Sequence, residues 1–225
     1  MKTIYKSILV LLLSILVFPS FAISLNEKKT SEDETIISPN QLMDRMDNAL
    51  SMYKVLSLNF VFSAKDDDDE IASQEGRFYA MASMYKIEAE DFDLYCDGVK
   101  KWFYNKEANE INVFSHDSSS LEITDNPLVA IKSISEMYKV SKAEVKKLGE
   151  GWSITLEPKV KGDYKFITLD ISSDNYLPIL ISCVTNENRE YFISLKNFSE
   201  MGNMSENFFT PDISSMGDVM VNEID

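Results

Sequence analysis

From residue 56 onward the apolar residues of this chain recur at every second position. Leu58, Phe60 and Phe62 alternate with Ser57, Asn59 and Ser63, the spacing of a strand with one buried face. Further strand signals fall at residues 76–81, 84–89, 92–96, 99–104 and 110–114, then at 144–148, 152–156, 164–171, 177–184 and 191–198. Turn-forming residues separate them. Asp97-Gly98 between two such runs is a strong hairpin signal, and the polar residues 105–109 divide the next pair. The acidic run at residues 66–70 is expected to cap the first hairpin. Connections this short join antiparallel neighbours, so the strands are predicted to form a meander. A sheet of about ten strands tends to curl or close.

Two stretches change to a period of 3.6. Ser38-Pro39-Asn40 opens a helix whose apolar face is Leu42, Met46, Ala49, Leu50 and Tyr53, with Asp44, Arg45, Asp47 and Lys54 opposite. A second is predicted after Asp125 or Asn126 as cap and Pro127 in its first turn, with Leu128, Ile131, Ile134 and Tyr138 on one face. Each face needs an apolar surface to lie on. The predicted fold is therefore α+β: a curved antiparallel sheet, an incomplete β-barrel, with helices lidding its concave apolar face. Strand alternation nominates Phe60, Phe62, Phe78, Phe92, Leu94, Trp102, Tyr104, Val113, Leu156, Ile167 and Leu169 as residues lining that face, and the second helix adds Ile131 and Ile134. The chain holds 25 Phe, Tyr and Trp and 11 Met, residue types that fill a core and also line adaptable apolar pockets. Periodicity does not separate the two.

Residues 1–22 read as a secretory signal peptide: Lys2 and Lys6, an apolar run over residues 8–18, then Ser20-Phe21-Ala22. The run breaks at Pro19, short of the ~20 residues a spanning helix needs. An uncleaved anchor is the alternative. With no Cys at the expected cleavage point, no N-terminal lipid anchor is expected, and the protein is expected in the periplasm. Residues 23–38 read as a flexible polar segment, and residues 39–225 as one domain. Removing the leader leaves 20 basic against 37 acidic residues, a net charge of −17. Such a surface repels nucleic acid and anionic lipid headgroups.

Candidate chemistry is sparse. The one histidine, His116, sits in Ser115-His116-Asp117, where the three residues adjoin in sequence, whereas catalytic groups usually converge from separate elements. No Gly-x-Ser-x-Gly turn accompanies them, and no enzymatic activity is expected. The acidic run lacks the turn-forming Gly of a calcium loop, and one His with two distant Cys offers no zinc spacing. No metal or cofactor is expected. Cys96 and Cys183 each fall within a predicted strand; a disulfide would need their Cβ atoms about 4 Å apart, and the reading favoured here is two buried thiols. Asn197-Phe198-Ser199 and Asn203-Met204-Ser205 match glycosylation sequons but read as surface turns.

The order of motifs resembles the LolA-like proteins, the periplasmic outer-membrane lipoprotein carriers. The matching features are the helix before Leu58-Asn59-Phe60, then Glu75-Gly76-Arg77-Phe78, Asp97-Gly98, Trp102-Phe103-Tyr104 and Asn109-Glu110-Ile111. The Pro-led mid-chain helix follows, and Phe208-Phe209-Thr210-Pro211 and Gly217-Asp218-Val219 close the series. The sequence departs where the best-known branch carries an Arg-Pro pair: residues 80–84 read Ala-Met-Ala-Ser-Met. The resemblance implies a monomeric carrier that receives acylated lipoproteins from an inner-membrane ABC transporter and ferries them to the outer membrane; it specifies no acceptor there. An envelope sensor binding lipid or lipoprotein on the same scaffold is the alternative.

Overall fold

The computed structural model describes residues 37–66, 69–117, 138–140, 146–149, 151–159 and 164–224. The leader, most of the polar segment after it, and Ile131 and Ile134 of the second expected helix lie outside the described residues.

Helix α1 spans Pro39–Ser51. Ser38 and Gln41 close a capping box: Ser38 Oγ accepts from the Gln41 N–H at 3.3 Å, and Gln41 Oε1 accepts from the Ser38 N–H at 3.0 Å. Pro39 follows the cap, where its missing N–H costs nothing. The polar segment was expected to run to Ser38, but Ile37 is already buried in the core, one residue before the cap. Ile37 and Leu42 share the same apolar cluster, the positions of a hydrophobic staple.

Among the described residues thirteen strands follow: β1 Val55–Asp66, β2 Asp69–Met81, β3 Met84–Ala89, β4 Phe92–Cys96, β5 Lys100–Asn105, β6 Glu110–Ser115, β7 Tyr138–Val140, β8 Lys146–Leu148, β9 Gly151–Pro158, β10 Tyr164–Ser172, β11 Pro178–Thr185, β12 Arg189–Glu200 and β13 Met220–Glu223. They form one open, curved sheet in the order β13-β6-β5-β4-β3-β2-β1-β12-β11-β10-β9-β7, with β8 also paired to β9. The sheet does not close into a barrel.

The meander is antiparallel with one exception: β13 lies parallel to β6, placing Val221 beside Ile111. That strand and β7 carry the count beyond the ten or so expected; both are only three or four residues long, too short to show a period. Tyr138, expected to end the second helix, instead opens β7. The acidic run does cap the first hairpin, with Asp66 opposite Asp69. Strand β2 begins well before Gly76, because Ala72 and Gln74 continue its alternation opposite Ala64 and Phe62.

Candidate functional site: the concave apolar face

Residues paired across antiparallel strands point to the same side of the sheet, so the register traces each face. From β1 outward, Leu58 lies opposite Phe78, Phe78 opposite Ile87, Ile87 opposite Leu94 and Leu94 opposite Phe103. In the other direction Phe62 pairs with Ile193, Ile193 with Ile181, Ile181 with Leu169 and Leu169 with Ile154. These residues belong to one apolar cluster that α1 enters with Leu42, Met43, Met46 and Leu50. We take this continuous face as the candidate site.

Eight of the nominated residues lie on it. Phe62, Phe78, Phe92, Leu156, Ile167 and Leu169 are buried, while Phe60 and Leu94 pack against the cluster half-buried. Trp102, Tyr104 and Val113 do not. Trp102 pairs with Tyr95 and Val113, and Tyr104 with Asp93 and Ile111, all on the opposite side. Phe103 takes the concave position instead and stacks on Phe92 at 5.3 Å. The cause is local: three aromatics in succession, Trp102-Phe103-Tyr104, leave no polar residue to mark the solvent side. The hairpin held the missing signal. Asp97 donates its N–H to the Lys100 carbonyl, so Gly98 and Val99 form the turn, Gly98 at φ +89°, and counting outward from it sets Leu94 against Phe103.

The opposite side of β2 and β3 is covered in part by the C-terminal segment. A 3-10 turn, Glu206–Phe209, packs on β3; Phe208 meets the Tyr79 ring edge-on at 5.0 Å, and Phe209 is fully buried. The Lys86 ammonium sits 4.8 Å from the Tyr95 ring and 4.5 Å from the Phe208 ring, and pairs with Glu88 at 2.7 Å. Burial alone would raise the Glu88 carboxyl, but Lys86, Tyr79 and Arg77 together outweigh it and hold the group below its usual range. Val113 and Ile111 are buried on this side.

At Gly76 the concave face is tightest. A Cβ there would lie 2.3 Å from the Glu88 carbonyl oxygen and 2.9 Å from the Phe60 ring, so the absent side chain is what lets Phe60 seat on the sheet. A depression of about 380 Å³ adjoins this point, lined by Phe60, Gly76 and Ala89 but also by Glu75, Arg77, Glu88, Glu90 and Lys196; so much charge makes it a poor seat for hydrocarbon. Cys96 and Cys183 are free and buried, both within the apolar cluster. Burial pushes the Cys96 thiol up to about 11 and the Cys183 thiol higher still. The His116 ring meets Tyr85 edge-on at 6.2 Å, and its backbone N–H donates to the Val99 carbonyl at 2.9 Å.

No family model matches the chain, and no curated protein matches it. Solved structures do. An uncharacterized conserved protein from Thermus thermophilus superposes with a TM-score of 0.54 at 13% identity, covering 82% of this chain and 98% of that one. A LolA superfamily protein from Nitrosomonas europaea gives 0.43 at 9% identity, covering 78% and 99%. A putative outer membrane lipoprotein-sorting protein domain from Vibrio parahaemolyticus gives 0.41 at 9% identity, covering 75% and 95%. The fold is shared with the Thermus thermophilus protein. At 13% identity the likeness is one of fold alone, and the residues above must be judged for themselves.

Proposed function

We propose that this protein is a periplasmic carrier that holds the acyl chains of lipoproteins against its concave face and ferries them from the inner to the outer membrane, without catalysing a reaction. The observation that carries the reading is the unbroken apolar face from Phe103 to Ile154, spread over nine strands and both halves of an open sheet.

Energetics favour exchange over permanent capture. Burying a 16-carbon acyl chain gains ~12 kcal/mol gross at ~0.8 kcal/mol per CH₂. The four α1 side chains buried on the same face contribute about 1.5–3 kcal/mol each, together on the order of one acyl chain. A ligand that displaces α1 therefore gains little net, which keeps its release possible. The acidic surface agrees with the role, because a shuttle must leave anionic headgroups behind.

The test is native mass spectrometry of protein purified from its own envelope, followed by titration with a fluorescent 16-carbon fatty acid. Added mass of acyl lipid and saturable binding are expected. Phe60→Glu should abolish binding, whereas Trp102→Ala, on the other face, should leave it unchanged. Absence of binding by the native chain, or equal loss in both variants, overturns the reading. Copurification with an envelope signalling protein would favour the sensor alternative.

A further inference from the structure

Helix α1 runs into β1 through Met52, Tyr53 and Lys54 alone. That junction is fixed to the sheet: the Glu200 carboxylate accepts from the Lys54 N–H at 2.8 Å and the Val55 N–H at 3.1 Å, and Met201 donates its N–H to the Val55 carbonyl at 2.9 Å. Any movement of α1 must then pivot just before Val55. At the rim on the other half of the sheet stands a three-layer column. Trp152, on β9, lies parallel to Tyr176 at 5.3 Å and 8°. The Arg45 guanidinium, from the exposed side of α1, lies 4.9 Å from the Tyr176 ring centroid and also donates to the Tyr176 hydroxyl.

The turn holding Tyr176 is built to present that ring. The Ser172 N–H donates to the Leu177 carbonyl at 2.9 Å, the Tyr176 N–H to the Ser172 carbonyl at 3.1 Å, and the Leu177 N–H to Asn175 Oδ1 at 3.0 Å. Tyr176 itself is held left-handed at φ +59°, a conformation that a bulky residue adopts only when its surroundings impose it. Beneath it, Trp152 is set by pairing with Ile171.

We propose that the Trp152–Tyr176–Arg45 column is a rim clamp that sets how readily α1 swings off the concave face about its junction with β1. The apolar side chains of α1 supply adhesion to the face; the clamp supplies a discrete, directional contact that must break before the helix moves. Its use in cargo exchange rests on the carrier reading above.

Hydrogen exchange of the α1 amides in the full chain tests the clamp directly. Arg45→Ala leaves the helix no weaker in itself, since Ala is the best helix former, and should speed exchange of α1 amides about 10-fold, the factor that ~1.4 kcal/mol of lost contact gives. The amides of β1 should be unaffected. Tyr176→Ala should match Arg45→Ala, while Arg45→Lys and Tyr176→Phe, which keep part of the contact, should fall between. Unchanged α1 exchange in Arg45→Ala, or equal acceleration across the sheet, overturns the clamp. The 16-carbon probe separates the two claims: faster uptake by Arg45→Ala is expected. If α1 loosens but neither form takes the probe, the clamp stands and the carrier reading falls; if both bind at the same rate, the clamp has no part in exchange and its gating role is refuted.

Discussion

Gly76→Ala is the sharpest test of how the concave face is packed. In a strand with room to spare this change stabilises, by ~0.4–1 kcal/mol, because Ala loses less conformational freedom on folding. Here the added Cβ would meet the Glu88 carbonyl oxygen at 2.3 Å and two Phe60 ring atoms at 2.9 and 3.0 Å. The ring can turn away. The carbonyl belongs to the neighbouring strand, where Gly76 lies opposite Ala89, so relief requires β2 and β3 to separate locally. Overpacking of this kind costs about 1–3 kcal/mol, and at ~2–4 °C per kcal/mol for a domain of this size the midpoint should fall by roughly 2–12 °C. Thermal and urea unfolding of the wild type, Gly76→Ala, Phe60→Ala and the double variant complete a cycle. Most of the loss should persist in the Phe60→Ala background, because the carbonyl contact dominates. A Gly76→Ala midpoint at or above wild type would refute this account of the face, and full rescue by Phe60→Ala would show that the ring alone is the obstacle.

Three further outcomes are expected. Stability should decline in alkali: with Cys96 pushed up to about 11 by burial and ionising near ~8.5 when unfolded, the unfolded chain loses its proton first. The contribution is therefore complete below about pH 8.5 and is lost as pH rises toward 11, at up to ~1.4 kcal/mol per unit; urea midpoints at pH 8 and 9.5 check it, and Cys96→Ala should reduce the difference without abolishing it, because the buried Cys183 thiol contributes over the same window. Glu200→Ala should lower the unfolding midpoint by about 2–4 °C through loss of the two backbone N–H bonds at the α1–β1 junction, worth ~1 kcal/mol at so exposed a carboxylate; an unchanged melting curve would deny the junction its role. Cargo-free mature protein, with 37 acidic residues in the chain, should fail to co-sediment with anionic liposomes at low salt, and substantial pelleting would count against a shuttle repelled by headgroups.

Much of the sheet was legible in the sequence, because a strand with one buried face writes itself as alternation. The runs around Phe60, Phe78 and Leu169 identified both the strands and the side they bury. Legibility failed where both faces carry aromatic residues. Strand β5 packs Phe103 on one side and shares the other with Tyr95 and Val113, so Trp102-Phe103-Tyr104 shows no contrast, and the face was assigned the wrong way for Trp102, Tyr104 and Val113. The Glu206–Phe209 turn that packs on β3 was equally silent, since its two aromatics gave no sign of where they would land. Strand β13 was unreadable for another reason: in Met220-Val221-Asn222-Glu223 two adjacent apolar residues precede two polar ones, and its parallel partner β6 lies more than a hundred residues earlier. The rim column was equally hidden, since Arg45, Trp152 and Tyr176 come from three separate elements.

The seam between β1 and β12 has a consequence for how the chain is made. The first strand of the sheet pairs with a strand about 130 residues later, over ten residue pairs from Leu56–Glu200 to Asp66–Arg189. Strands β1 to β6 can zip together as local hairpins while the polypeptide is still emerging, but one side of β1 stays unsatisfied until β12 arrives. Loops that long close slowly, and an open edge carrying Leu58, Phe60 and Phe62 is a template for mispairing with another chain. Biogenesis is therefore most vulnerable in the interval between the sixth strand and the twelfth, when half a sheet is assembled and its central neighbour has yet to emerge.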